Sequence, residues 1–296
     1  MSESPSSSPV WDQPARYLQL ARRHYENFPV GSWLLPRAAR GHLARIYAFA
    51  RTADDLADEL RDAEALARFR SDFLDHVEGR CSDVPLFVDL VASIKECDLP
   101  VALFTDLLDA FAQDLVVTDY DEASLRDYCR LSADPVGRLV LRVCGYRDDK
   151  MDQLSDKICT ALQLVNHLQD IGSDLRERGR VYFPREDLER FGVERPMLLA
   201  NAANQQVRSL VLHWVDQLVV ELAEGFELTR LVRGRLRYEL RAIVCGAAAV
   251  LARIRAADGD VLREVLRLSK WQQMCCVLFG AWSRKGPRIL RSGAGS

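Results

Sequence analysis

Two stretches of the sequence carry polar residues where a buried helix should carry none. The first, residues 42–60, contains Tyr47, Arg51, Asp54, Asp55 and Asp58. At about 100° per residue, Tyr47, Arg51, Asp54 and Asp58 fall within about 60° of one another. The other faces hold Leu43, Ile46, Phe49, Ala53 and Leu56. The second stretch, residues 151–175, repeats the pattern. Gln163, Asn166, Asp170 and Asp174 span about 80° of a helix, against Leu164, Val165, Leu168 and Ile171. One such stripe is ordinarily the solvated side of an amphipathic helix. Two of them, each on an otherwise apolar helix, point to one shared cavity. Carboxylates gathered there repel one another unless cations or protons neutralise them. Mg²⁺ suits such a cavity, since it takes one or two carboxylates, keeps waters and fills its remaining positions with phosphate oxygens. A clamp of this kind draws diphosphate away from an allylic or cyclopropylcarbinyl carbon, while apolar helices shelter the carbocation. The remainder of the cavity is then expected to be apolar, to hold an isoprenoid chain.

The elements that position these stripes are helices. Pro14, Pro29, Pro36, Pro85, Pro100, Pro135, Pro184 and Pro196 punctuate the chain, and between them apolar residues recur at three- and four-residue steps, as in Leu66, Phe69, Phe73 and Val77. No stretch alternates in the manner of a hairpin. The expected fold is all-α, a single domain of about eight to ten helices around a central apolar cavity, spanning residues 15–285. Residues 1–14 read as a disordered leader and residues 286–296 as a flexible basic tail.

The balance of 40 basic and 43 acidic residues, a net charge of −3, argues against nucleic acid as a partner. The longest apolar run, 242–252, is too short to span a bilayer. Eight cysteines without a ligand spacing read as free thiols of a cytoplasmic protein, not as zinc ligands. The basic C-terminal tail beside apolar residues 274–282 could touch the inner face of a membrane carrying anionic lipid.

Four ordered motifs carry a resemblance: YAFARTADDLAD (47–58), YCRLSADPVG (128–137), QLVNHLQDIGSD (163–174) and GRVYFP (179–184). Through them the sequence resembles the squalene and phytoene synthase family, over about residues 25–285. The resemblance implies a single helical isoprenoid synthase domain. It implies that Asp54, Asp58, Asp170 and Asp174 hold Mg²⁺, with Asn166 a further ligand and Asp55 facing partly away. Arg51, Arg180 and Arg178 would contact diphosphate, as fixed cations suit a leaving anion. Tyr47 and Gln163 would sit beside the metal, and Tyr128 near the carbocation. Pro135 would kink its helix, and Gly137 would leave room for the substrate chain.

Departures from the family pattern bear on the reaction. Where many members carry Lys-Ser-Phe, this chain has Glu26, Asn27 and Phe28; where Arg often precedes the second-motif aspartate, it has Gln169. An enzyme loading two prenyl diphosphates should want those cations; one loading a single presqualene diphosphate has less anion to neutralise. The resemblance thus favours ionisation of presqualene diphosphate, rearrangement of the cation and capture by water to give hydroxysqualene, without a reductant. Asn27, Phe28 and Gln169 would face the substrate, handed over from a presqualene diphosphate synthase. The alternative is condensation of two prenyl diphosphates.

Overall fold

The computed structural model describes residues 37–80, 83–263 and 286–292, with scattered positions between 266 and 278. The leader, Asn27 and Phe28 lie outside the described residues. Nine helices of ten residues or more are described: α1 Arg37–Asp54, α2 Ala63–Val77, α3 Pro85–Cys97, α4 Val101–Asp114, α5 Glu122–Ser132, α6 Asp134–Val143, α7 Asp149–Ser173, α8 Gln205–Gly225 and α9 Gly234–Ala256. The all-α expectation holds. Two short strands, β1 Asp119–Tyr120 and β2 Val181–Pro184, add one parallel pair.

Local chemistry sets the helix boundaries. The Asp62 side chain caps α2 by accepting from the Ala65 N–H, and Asp148 caps α7 by accepting from Met151. Asp121 and Ser124 form a reciprocal capping box at the start of α5. Pro135 does not kink a helix. It falls in the first turn of α6, where its missing N–H costs nothing, so the chain there is two helices and not one bent one. Gly137 likewise serves packing: a β-carbon there would run into Ser155 Oγ and Cys159 Sγ, so its absence lets α6 lie close against α7.

The core divides in two. Phe49, Phe69, Phe73, Phe87 and Phe104, from α1 to α4, form a closed aromatic cluster. The larger core gathers around α5, α7, α8 and α9. Val140 of α6 and Cys144, which follows that helix, pack against both. Residues Arg288–Ser292 form a helical turn whose Leu290 is buried in the larger core. This part of the expected flexible tail is therefore docked, because Ile289 and Leu290 find apolar partners there. The seven described cysteines are free thiols. Among the described residues no helix is long and apolar enough to cross a membrane.

Candidate active site

Both acidic stripes end in the same unusual element. After Asp54 the chain enters a π-helical turn, Asp55–Glu59, and after Ser173 another, Asp174–Arg178. The Leu60 N–H reaches back five residues to the Asp55 carbonyl, and the Gly179 N–H does the same to Asp174. Such wide turns inside helices recur at functional sites. Here they carry Asp58 and Asp174 to the junction of the two stripes.

The stripes face each other. Arg178 lies between them, with Nη1 3.0 Å from Asp174 Oδ1 and Nη2 3.4 Å from Asp58 Oδ2. Arg180 Nη2 lies 3.2 Å from Asp58 Oδ1. Arg61 donates to the Glu177 carbonyl at 3.4 Å, joining one π turn to the other. The strand pair holds this arrangement: Val181 N–H bonds to the Thr118 carbonyl at 2.9 Å, fixing Arg180 and Tyr182 beside α4 and α5.

Between the stripes lies a cavity of about 290 Å³. Asp54, Asp58, Tyr128, Gln163, Asn166, Asp170, Asp174, Arg178 and Arg180 line it, as the sequence led us to expect. Arg51, Asp55, Tyr47 and Gln169 are not among its walls. Arg51 pairs with Asp54 at 2.8 Å, Asp55 at 2.5 Å and Glu59 at 2.8 Å, so it neutralises the outer side of the first stripe. Tyr47 is 36% exposed next to this group. Gln169 departs from the expectation that it faces the substrate. Its side-chain amide donates to the Leu266 carbonyl at 2.8 Å, because its position on α7 turns it from the cavity toward the C-terminal segment.

Five wall residues are not singled out by the sequence: Phe111, Asp114, Ser132, His167 and Tyr182. Asp114 ends α4, whose other aspartates, Asp106 and Asp109, are not among the cavity walls, so no stripe of that helix points to it. Tyr182 sits in the GRVYFP motif, where the arginine is the residue that suggests chemistry. His167 lies within QLVNHLQDIGSD, where the stripe residues around it are the ones that suggest chemistry. In the folded chain its ring stacks on Tyr182 with centroids 3.5 Å apart and 13° between planes. Tyr128 and Tyr120 complete the group, 5.8 and 5.5 Å from Tyr182. His167, Asp174, Arg180 and Tyr182 also border a small apolar pocket of about 20 Å³ with Leu164, Leu168, Ile171, Val181, Phe183 and Trp214. His167, Asp174, Arg180 and Tyr182 thus line both spaces, the carboxylate-rich cavity on one side and the small apolar pocket on the other.

The electrostatics show a surplus of negative charge. Five carboxylates, those of Asp54, Asp58, Asp114, Asp170 and Asp174, share the cavity with two guanidinium groups. Burial, opposed by Arg51 and reinforced by Asp58 and Asp55, pushes the Asp54 carboxyl up to about 6. Burial also lowers the His167 imidazole, against the pull of Asp174, whose Oδ2 lies 3.9 Å from Nδ1. Hard oxygen donors in excess over fixed cations fit a divalent cation such as Mg²⁺. Among the described residues no three acidic, His or Cys side chains already converge as a ligand set; Arg178 stands between Asp58 and Asp174.

Known proteins share this architecture. The chain is 33% identical to a hydroxysqualene synthase of Sinorhizobium fredii over 252 residues, 84% of this chain and 85% of that protein. It is 39% identical to a hydroxysqualene synthase of Rhodopseudomonas palustris over 175 residues, a match spanning only 58% of that relative. Among solved structures, squalene synthase HpnC from Alicyclobacillus acidocaldarius is 41% identical with a TM-score of 0.76, covering 82% of this chain and 92% of that one. A dehydrosqualene synthase in complex with ligand is 25% identical with a TM-score of 0.82, over 90% and 94% of the two chains. The squalene/phytoene synthase family model matches residues 21–272. With the paired stripes and their shared cavity, these matches make the chain a member of the squalene/phytoene synthase family, an enzyme of isoprenoid biosynthesis.

Proposed function

We propose that the chain converts presqualene diphosphate and water to hydroxysqualene and diphosphate, for squalene and hopanoid synthesis. The observation that carries this reading is the pair of facing acidic stripes, joined through Arg178, in a chain similar to a hydroxysqualene synthase over most of its length. Mg²⁺, when bound, would neutralise the departing diphosphate. Asp54, Asp58, Asp170 and Asp174 would hold it, with Asn166 adding an amide oxygen and Asp55 lending charge from the outer side.

The chain's own groups account for the rest. Arg178 and Arg180 lie where they can pass from aspartate to diphosphate, and Arg51 supports them from the outer side of the first stripe. Gln163 and Tyr47 flank the carboxylates. Asn27 and Phe28 belong to this reading through the family pattern alone. Tyr182 and His167 border the apolar pocket and Tyr128 lines the main cavity beside them, where electron-rich rings favour a nearby carbocation. Gln169 adds nothing to the choice of substrate, since its side chain is engaged elsewhere. The contrast with members that condense two prenyl diphosphates therefore rests on Glu26 and on the relatives.

A water-insoluble reactant suggests hand-over from a presqualene diphosphate synthase at a membrane surface, with the enzyme itself cytoplasmic. The experiment is direct. Purified protein, presqualene diphosphate and Mg²⁺ without NADPH should give hydroxysqualene. Turnover of farnesyl diphosphate alone, with presqualene diphosphate untouched, would assign the chain to the condensing members instead.

A further inference from the structure

One cavity carboxylate belongs to neither stripe. Asp114 closes α4 with its side chain 8% exposed, and both ends of the residue are held. Its Oδ2 accepts a hydrogen bond from the Tyr128 hydroxyl at 3.2 Å. Its Oδ1 lies 3.3 Å from Arg180 Nη1 and makes no hydrogen bond, while Arg180 Nη2 donates to the Asp114 backbone carbonyl. Two more buried polar atoms of the cavity wall, Ser132 Oγ and His167 Nε2, also make no hydrogen bond among the described residues. Buried polar atoms left unpaired around one cavity are what a bound water satisfies.

If the reaction proposed above is right, its last step has a chemical requirement. A water oxygen that bonds to a cationic carbon becomes a protonated alcohol, and that proton needs an acceptor. The stripe carboxylates are assigned above to the metal and its diphosphate; Asp114, though paired with Arg180, belongs to neither stripe and keeps Oδ1 without a hydrogen bond. Asp114 lines the same cavity as the aromatic rings, and Tyr128 joins it to them.

We propose that Asp114 is the proton acceptor of the capture step. As the water oxygen bonds to the cationic carbon, one of its O–H bonds breaks and the electron pair stays on oxygen. The proton passes to the Asp114 carboxylate, leaving a neutral alcohol and a neutral acid. Tyr128 and Arg180 are positioning residues that fix the carboxylate plane. Burial, against the attraction of Arg180, pushes this carboxyl up to about 7, near the range in which a general base works best. Without an acceptor beside the water, the released diphosphate can instead take a proton from the carbon next to the cation, and the product leaves as a hydrocarbon.

The test compares wild type with Asp114→Asn, supplied with presqualene diphosphate and Mg²⁺ in ¹⁸O-water. Released diphosphate and labelled alcohol are both measured. Wild type should give about one alcohol per diphosphate. Asp114→Asn should still release diphosphate, but its alcohol share should fall at least about tenfold, replaced by polyenes formed by proton loss. An unchanged ratio, or both quantities falling in step, would show Asp114 to be structural and overturn the proposal. Wild type that releases diphosphate without alcohol would sink the hydroxysqualene reading itself, and with it this role, before any variant is made. Should Asp114→Asn not fold, Tyr128→Phe decides: the ratio should shift the same way, and a folded variant with the wild-type ratio refutes the assignment.

Discussion

Two ring clusters sit in the two cores that meet at Val140 of α6, and could hardly differ more in chemistry. On one side five phenylalanines pack edge and tilt, with Phe49 and Phe73 centroids 4.8 Å apart and every ring fully buried. On the other, Tyr120, Tyr128, Tyr182 and His167 pack at similar spacings, 5.5 Å for Tyr120 and Tyr128. The first cluster has no polar atom to satisfy. In the second every ring carries one or more, and Tyr120 Oη and His167 Nε2 are buried without a hydrogen-bond partner among the described residues. Burying an unpaired polar atom costs about 1–3 kcal/mol. A cluster built only for stability would be phenylalanine throughout, as its neighbour is. The difference marks one cluster as scaffold and the other as working surface.

If that division is right, substitutions in the two clusters should separate stability from turnover. The largest effect is expected from Phe49→Ala. The lost contacts and the cavity left behind should cost about 3–5 kcal/mol in urea unfolding. Activity per folded molecule should hold steady, and a loss there would break the division. Next comes Asp58→Asn, which removes the charge shared by Arg178 and Arg180. Diphosphate release should fall about 10²–10³-fold while the thermal midpoint stays near wild type.

The seam between the clusters gives a pH signature. Asp134 on α6 accepts from Thr160 Oγ1 at 2.9 Å, and burial, helped by nearby Asp156, pushes its carboxyl up to about 7. An ordinary unfolded Asp titrates near about 3.9. The folded state thus binds more protons between these values, so stability should fall as pH rises from about 4 to about 7. The Thr160 bond and partial solvation limit the loss to about 2 kcal/mol. Asp134→Asn should flatten that slope in denaturant melts at several pH values; an unchanged slope would place the titrating group elsewhere.

The smallest effect should come from Tyr182→Phe. The Tyr182 hydroxyl accepts from Arg180 Nη1 at 3.3 Å, and its ring packing would survive the change. Stability should move by less than about 1 kcal/mol and turnover should drop about fivefold. A larger stability loss would show that the polar ring wall is structural after all.

Much of this was legible in the residues. The helical period, the proline breaks and the two stripes follow from local geometry, because side-chain direction along a helix depends only on position. Asp54, Asp58, Gln163, Asn166, Asp170 and Asp174 could therefore be named as one set, and the structure gathers them around one cavity. Helical spacing says nothing of what lies opposite a stripe. Only tertiary packing decided that Arg178 stands between Asp58 and Asp174, that Gln169 turns toward Leu266, and that Asp114, of the three aspartates on α4, joins the wall. The approach of Arg61 to the Glu177 carbonyl, 116 residues away, likewise follows from no local rule. The sequence by itself determined which faces are apolar and which are charged; the approach of distant segments decided which charges neutralise one another, because Coulomb energy depends on separation in space and not along the chain.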